Sequence, residues 1–302
     1  MNRAIVPAEG ADTAAGGRAL SIRAPEFPSI VVANSFSDSP PGLGLRDPLD
    51  LRGGDRLGPD GAVANMVIDW APGLQAAVWQ ACRRQIELER PWFAMPPTAL
   101  IALPGIGSVH LARQISRHAG LPLYLLDLGI AADTLQLQPT HPQWRVQTPA
   151  PPILAMAASG CANPIVLVTN IADATEDTLD ALIEMIADHS APRWVDTMLS
   201  ATIDLSHINW LVQVTGWFPP VLSNVLRPVE IDRFECSRDV ADLVAIGVIE
   251  EAMTDLNLDG ADLEDPSTLL ADLKRHAMRR VGMSDLYRLA HGGLLQLAQS
   301  RR

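Results

Sequence analysis

Cysteines are scarce in this chain, and the few present are far apart. Cys82, Cys161 and Cys236 are the only three among 302 residues, and they form no CxxC pair. An odd number of widely spaced cysteines is typical of free thiols in a reducing compartment, so a cytoplasmic protein is expected. The seven histidines form no HExxH or HxxH pair, so no metal site is expected.

Positive charge and long apolar runs are also lacking. Lys and Arg number 23 against 35 Asp and Glu, which gives a net charge of -12. Nucleic acids and anionic membranes attract clustered positive charge, so neither is an expected partner. No run reaches 18 apolar residues, and the N-terminal "MNRAIVPAEGADTAAGG" has no apolar core of signal-peptide length. Neither a membrane span nor a leader is therefore expected.

The first 60 residues have little that could form a buried face. They are rich in Pro, Gly, Asp and Ser, as in "SFSDSPPGLGLRDPLDLRGGDRLGPDG". This composition predicts a flexible or loosely docked arm over 1–60. Within it, "FPSIVVANSF" at 27–36 predicts one strand or a docking segment.

From 61 to 236, short apolar segments alternate with amphipathic helical segments. Strands are predicted at 98–103, 121–128, 164–170, 207–216 and 228–234. Alternation of this kind is typical of an α/β fold with a parallel sheet covered on both faces, here with five strands. From 237 to 302 the pattern is helical only, with three segments, which predicts a small all-helical unit after the α/β core.

A glycine-rich turn follows the first predicted strand of this sheet. The apolar "TALIA" leads into "LPGIGSVHLAR", so a strand, a turn and a helix follow one another. Phosphate-binding loops require this context. Gly105 and Gly107 would let backbone N–H groups face an anion at the helix N-terminus. The turn by itself is weak support for phosphate binding, because strand-to-helix turns with two glycines are common.

Four segments, in order, resemble the AAA+ module of Lon-type proteases and of their stand-alone bacterial relatives. "LPGIGSVHLAR" resembles the Walker A motif "GPPGIGKTHLAR", and "ANPIVLVTNIADA" resembles the Walker B motif "NPVILLDEIDKA". "ATIDLSHINWLVQVTGW" resembles the sensor-1 strand, and "VGMSDLYR" resembles the start of the last lid helix. The resemblance covers about 70–300. It implies a P-loop NTPase-like core at 61–236 and a helical lid at 237–302, without the family's protease domain.

Neutral residues stand where the resemblance implies charged or metal-binding ones. The segment matching the phosphate loop is Pro104, Gly105, Ile106, Gly107, Ser108 and Val109. Within it, Ser108 takes the place of the lysine that meets the phosphates. Val109 takes the place of the hydroxyl that holds Mg²⁺.

The other family positions show the same departure. The Walker B acids fall on Thr169 and Asn170, and the sensor-1 asparagine falls on Thr215. The sensor-2 arginine falls on Ser284. The arginine-finger position falls on Asn224, although Arg227 is close enough to leave that assignment open.

These departures remove the groups on which phosphoryl transfer depends. Its catalysis rests on positioning and charge stabilisation, and loss of an arginine finger alone costs roughly 10³–10⁵ in rate. We therefore predict no catalytic residues and no cofactor, and any binding of ATP or ADP is expected to be weak. His110 and Arg113 are the nearest basic residues. Helical geometry directs Arg113 along the helix and away from the loop.

Three functions stay open on the sequence. The first is a pseudo-ATPase that binds, regulates or assembles with a protein partner, either an active AAA+ relative or a second copy of itself. The second is a divergent ATPase with slow hydrolysis, and the third is a scaffold with a closed, empty pocket. Trp194 and Trp217 are predicted in loops, where they serve either as interface anchors or as loop packing.

Overall fold

The computed structural model describes residues 27–36, 43–68, 71–103, 105–129, 137, 149–196, 198–216, 218–231, 238–258, 267–279 and 282–300. Pro104, Trp217 and Cys236 lie outside these described residues, as do 1–26 and 37–42 of the predicted arm.

The described strands and helices alternate through the middle of the chain. The strands are β1 (Ser29–Ile30), β2 (Ala33–Phe36), β3 (Leu49–Asp50), β4 (Thr98–Ala102), β5 (Leu123–Asp127), β6 (Ile165–Thr169), β7 (Trp194–Asp196), β8 (Ala201–Ile203), β9 (Asn209–Val214) and β10 (Arg227–Ile231). The helices are α1 (Pro72–Glu87), α2 (Ser108–Ala119), α3 (Pro151–Ser159), α4 (Glu176–Ile186), α5 (Arg238–Leu256), α6 (Ser267–Met278) and α7 (Met283–Ser300).

A five-stranded parallel sheet forms the centre of the molecule, in the order β10-β4-β9-β6-β5. The predicted α/β fold and its five parallel strands are therefore confirmed. Thr98 of β4 pairs with Leu211 of β9 on one side and with Arg227 of β10 on the other, so β4 and β10 begin at the same level of the sheet. Because β9 separates β4 from β6, and strands lie about 4.8 Å apart, the ends of β4 and β6 are about 10 Å apart.

Alternate residues of the central strands face two different apolar clusters. Leu167 and Leu211 face a cluster that includes residues of α1 and α2. Val166 and Val212 face a second cluster that includes residues of α3 and α4. The strands are thus buried on both faces, which explains why they read as unbroken apolar runs in the sequence.

Helices α5, α6 and α7 belong to the first of these clusters. Val248 of α5, Ala277 of α6 and Leu286 of α7 share it with Leu111 of α2. The three predicted helical segments are present, and they pack through apolar side chains on the same face of the sheet as α1 and α2. We call α5, α6 and α7 the helical unit.

Residues 43–60, which were predicted to belong to a flexible or loosely docked arm, contribute several leucines to the buried core. Leu45, Leu49 and Leu51 are buried in the second cluster. The backbone N–H of Arg52 donates to Asn163 Oδ1 at 2.9 Å, and Asn163 Nδ2 donates back to the Arg52 carbonyl at 3.0 Å. These leucines are spaced first by four and then by two residues, so no single helical or strand period connects all three and a search for periodic apolar faces passes over them.

The segment 27–36 contains two short strands rather than one. β1 pairs with β3 in an antiparallel ladder, and β2 pairs with β8 in a three-stranded sheet that also contains β7. In the described part of the chain, none of the helices combines the length and apolar character needed to cross a bilayer.

Shortening Leu51 tests whether 43–60 belongs to the folded core. We expect Leu51→Ala to lower the free energy of unfolding by about 2–5 kcal/mol, because it leaves a cavity in a buried cluster. Denaturant unfolding measures this change. Leu289→Ala is the matched control, since Leu289 is exposed, and its effect should stay within about 0.5 kcal/mol. Equal effects of the two substitutions would contradict the packed arrangement.

Candidate functional site

Most of the predicted site residues meet at one edge of the central sheet. Gly105 and Gly107 follow β4, Thr169 and Asn170 lie at the end of β6, and Thr215 follows β9. The strands are parallel, so their carboxyl ends share this edge. Open α/β sheets bind ligands in the crevice beyond the carboxyl ends of their strands.

The two candidates for the arginine-finger position lie at the opposite edge. Asn224 precedes β10, and Arg227 begins it and pairs with Thr98, the first residue of β4. Both Asn224 and Arg227 are exposed. The structure therefore separates Asn224 from the glycine loop of its own chain by the length of the strands.

The glycine loop has the backbone conformation that its sequence predicts. Gly105 has φ 84° and Gly107 has φ 96°, both in the left-handed region that favours glycine. Gly107 is the N-cap of α2, and its carbonyl accepts the N–H of Leu111 at 3.0 Å. Ile106 between the glycines is buried. The loop thus leads directly into a helix N-terminus, as the sequence implied.

The first turn of α7 lies against this loop. A Cβ placed on Gly107 would be 2.5 Å from Met283 Cβ, and one placed on Gly282 would be 2.9 Å from the Gly105 carbonyl oxygen. Met283 is buried, whereas the neighbouring Ser284 is exposed. Met283, an apolar residue, therefore contacts the glycine loop. The family resemblance placed the sensor-2 position on the next residue, Ser284.

Ser108 and Val109 supply no charge to the loop. Ser108 is buried at the first position of α2, and its Oγ has no hydrogen-bond partner among the residues described. Val109 is partly buried and packs against the first apolar cluster. A neutral hydroxyl and an aliphatic side chain cannot replace the ammonium and the metal-binding oxygen of a phosphate loop.

Asn170 has a structural role at the end of β6. It adopts the left-handed conformation at φ 57°, which asparagine tolerates better than most residues. Its Nδ2 donates to Asp127 Oδ1 at 2.7 Å, and the Gly129 N–H donates to the same oxygen at 2.9 Å. Asp127 pairs with Thr169 across β5 and β6. The Asp127 carboxylate thus joins the turn after β5 to the end of β6.

Asp127 was not among the predicted site residues, although it lies next to last in the predicted strand 121–128 and ends the observed β5. Within the described ranges, no group of three or more His, Cys, Asp or Glu side chains is arranged to hold a metal ion. The thiols of Cys82 and Cys161 are free, and burial raises the pKa of each to about 11, so neither is a reactive thiolate.

His110 and Arg113 of α2 face the helical unit rather than the glycine loop. His110 Nδ1 and Arg113 Nη1 both contact the carboxylate of Glu251 on α5. Arg113 Nη1 also lies 2.9 Å from Asp255 Oδ2, and the Tyr287 hydroxyl donates to that Asp255 oxygen at 2.5 Å. The predicted direction of Arg113 away from the loop agrees with these contacts.

Glu251 is the most deeply buried acid of this network, with its side chain 3% exposed. Burial alone would raise the pKa of Glu251, but the hydrogen bonds and positive charges of His110 and Arg113 outweigh it and lower the pKa. Gly247, one turn earlier, lets α5 approach closely, since a Cβ there would lie 3.3 Å from Gln114 Nε2. Glu251 was not among the predicted site residues. Its helical spacing from Val244 and Val248 was the available signal.

Several curated Lon proteases are similar to parts of this chain. The Chloroflexus aurantiacus protein is 25% identical over 145 residues, which covers 46% of this chain and 18% of that protein. The Azorhizobium caulinodans protein is 23% identical over 218 residues, which covers 69% of this chain and 25% of that protein. A mitochondrial Lon protease homolog of Rattus norvegicus is 21% identical over 189 residues, which covers 61% of this chain and 20% of that protein. A Lon-related AAA+ region is thereby supported.

No family model matches the chain. It spans about a fifth of the length of the curated Lon proteases it matches, from 16% to 25%. Among solved structures, NtrX from Brucella abortus superimposes with a TM-score of 0.44 at 13% identity, over 73% of this chain and 51% of that one. That superposition carries no argument about the family. The observed α/β sheet is consistent with the sequence similarity to the Lon relatives.

Paired glycine substitutions test the contact between the loop and α7. We expect Gly105→Ala to lower the free energy of unfolding by about 1–2 kcal/mol, the cost of a left-handed residue with open space around it. Gly107→Ala should cost about 1–3 kcal/mol more, because its Cβ would also overlap Met283. Denaturant unfolding measures both. Indistinguishable losses would show that α7 does not lie on Gly107.

Neutralising Glu251 tests the ion network. At pH 7 we expect Glu251→Gln to lower the free energy of unfolding by about 3–5 kcal/mol, because it leaves buried partners unpaired. The pKa of Glu251 is lowered in the folded state, so its contribution is present above the unfolded value of about 4.3 and is lost as the pH falls below it. The difference in the free energy of unfolding between the variant and the wild type should therefore be smaller at pH 3.5 than at pH 7.

Unfolding curves at both pH values check this expectation. Glu184→Gln is the matched control, since Glu184 is exposed on α4. A gap that stays constant between pH 7 and pH 3.5 would contradict the ionised state of Glu251.

Proposed function

We propose that this chain is a catalytically inactive AAA+ protein that acts as a binding, regulatory or assembly subunit. One observation carries the proposal. The glycine loop keeps its backbone shape, yet Met283 packs against it and neutral Ser108 and Val109 begin its helix. The loop therefore has the form of a phosphate site without a side chain able to bind a phosphate by charge.

The residues at the end of β6 support the same proposal. Thr169 and Asn170 are neutral, and the nearby Asp127 accepts one hydrogen bond from the Gly129 N–H of its own turn and one from Asn170 Nδ2. A charge-assisted hydrogen bond contributes roughly 1.5–3 kcal/mol, and phosphoryl transfer needs several such interactions at once. With the cation and both acids replaced, the site offers little stabilisation to a transferring phosphoryl group.

The fixed attachment of the helical unit supports a role in binding rather than in catalysis. α5 is joined to α2 through Glu251, His110 and Arg113, and the two helices share one apolar cluster. We propose that 61–236 is the AAA+ core and that 237–302 is its lid, held in a fixed position. The partner we propose is another AAA+ chain, either an active relative or a second copy.

Calorimetric titration with ATP and with ADP, each with and without Mg²⁺, tests the proposal together with a phosphate-release assay. We expect no turnover and at most weak, metal-independent binding. A divergent ATPase would instead show micromolar binding and turnover. A rate near the enzymatic range, on the order of 1 s⁻¹ or faster, would overturn the proposal.

Restoring the loop chemistry by itself should not restore hydrolysis. We expect the double variant Ser108→Lys with Val109→Thr to stay inactive in the same assay, because Thr169 and Asn170 still provide no acid for Mg²⁺ or water. The control is Ser108→Met with Val109→Thr, which adds similar length at a buried position without the charge. Activity in the lysine variant and none in the methionine variant would show that the loop alone was defective.

A further inference from the structure

Two helix N-termini meet at the glycine loop. Gly107 is the N-cap of α2, and Met283, the first residue of α7, lies against it. The Gly282 carbonyl accepts the Leu286 N–H at 3.0 Å, so Gly282 is the corresponding cap of α7. Met283 is 1% exposed, and Ser108, next to Gly107, is 3% exposed. We call Gly282 and Met283 the α7 plug.

The contact between the α7 plug and the loop has unfavourable components. Helix N-termini carry partial positive charge, so two of them repel one another when they are brought together. Asp285 in the first turn of α7 offsets part of this repulsion, but it is exposed and pairs with Arg288 at 3.3 Å. Ser108 Oγ is buried without a hydrogen-bond partner among the described residues, which also costs free energy. The closed position of the plug therefore depends on contacts outside the loop.

Tyr287 supplies such contacts one turn after Met283. Its hydroxyl donates to Asp255 Oδ2 at 2.5 Å, and the guanidinium carbon of Arg113 lies 5.5 Å from the centre of its ring. Arg113 Nη1 is 2.9 Å from the same Asp255 oxygen. Residues four apart lie on one face of a helix, so Tyr287 and Met283 are held against the molecule together. We call Tyr287, Asp255 and Arg113 the latch.

The latch joins three helices through partly exposed side chains. Arg113 belongs to α2, Asp255 to α5 and Tyr287 to α7. The side chains of Arg113 and Asp255 are 18% and 22% exposed, in contrast to 3% for Glu251, which Arg113 also contacts. Water competes with partly exposed ion pairs, so they are weaker than buried ones. The latch is therefore the releasable part of the attachment, whereas Glu251 keeps α5 on α2.

We propose that the α7 plug controls access to the glycine loop and that the latch holds the plug shut. Release of the latch moves Gly282 and Met283 off the loop while α5 stays attached to α2. The proposal rests on the regulatory role proposed above and adds its moving part. A partner that binds the helical unit and breaks the latch exposes the loop.

A thiol on the loop measures how often the α7 plug opens. Ser108→Cys replaces one side-chain atom at a buried position, and a Cys236→Ser background removes a native thiol. We call this double variant the reporter chain. Cys82 and Cys161 are buried, so they react only when the chain unfolds. The rate of maleimide labelling at each site, followed by mass spectrometry, is proportional to the open population.

The loop thiol of the reporter chain should be protected from the reagent. We expect it to react at least about tenfold more slowly than in the denatured chain, because the open form is a minor state. Reaction as fast as in the denatured chain would overturn the proposal, since the loop would then not be covered.

Gly282→Ala in the reporter chain tests the position of the plug. A Cβ on Gly282 would lie 2.9 Å from the Gly105 carbonyl oxygen, a backbone atom that cannot rotate away. We expect labelling of the loop thiol to accelerate at least about tenfold, because the overlap disfavours the closed form. Gly292→Ala is the matched control on the same helix, since a Cβ there has nothing within 4 Å. Equal rates in these two variants would overturn the proposal.

Tyr287→Ala in the reporter chain tests the latch without altering the loop. We expect labelling to accelerate at least about tenfold, because the variant loses a hydrogen bond to a carboxylate and a cation–π contact. Tyr287→Phe keeps the ring beside Arg113 and loses only the hydroxyl, so its rate should be intermediate. Arg288→Ala is the matched control, since the Arg288 side chain is 80% exposed. A Tyr287→Ala chain that labels no faster than this control would contradict the latch.

The native thiols distinguish local opening from unfolding. Labelling of Cys82 and Cys161 as fast as the loop thiol would show that the variants unfold, and would overturn a device confined to the start of α7. Met283→Cys in place of Ser108→Cys puts the thiol on the plug, and it should accelerate in the same variants. No nucleotide is present, so measured ATP turnover would overturn the proposed function and leave the labelling result standing. Unchanged labelling would overturn the plug and leave the proposed function standing.

Discussion

The ionised carboxylate of Glu251 is the constraint on which the arrangement of the two parts of the molecule depends. A buried carboxylate is costly unless its charge is paired, and the only basic groups that contact it in the described part of the chain are those of His110 and Arg113. Both belong to α2, the helix that follows the glycine loop. The pairing therefore fixes α5 on α2, and α6 and α7 are carried with it through the apolar cluster that they share.

This attachment explains the state of the glycine loop. Once α5 is fixed on α2, the start of α7 lies against Gly105 and Gly107, and Met283 is buried there. The basic side chains nearest to the loop are directed to Glu251 and Asp255 instead of to the loop. Positive charge that could have favoured an anion is thus used for holding the helical unit. The left-handed backbone of the two glycines and the contact with Met283 are consistent with this attachment.

Helices α5 and α1 each have one buried face and one exposed face. α5 is buried on the face that carries Val248 and exposed on the face that carries Leu243 and Ile246. α1 is likewise buried along Leu74 and Val78 and exposed at Trp79. Each helix thus has one face that stabilises the fold and one that faces solvent.

The sequence by itself determined the five parallel strands, the three C-terminal helices and the glycine turn, because periodicity and glycine conformation are local properties. It also determined that Ser108, Thr169 and Asn170 are neutral, since residue type needs no structure. The tertiary structure alone decided that Glu251 pairs with α2 and that Met283 lies on Gly107, because residues more than a hundred positions apart meet only in the folded chain. It likewise decided that 43–60 is packed, since isolated leucines acquire their burial from distant neighbours.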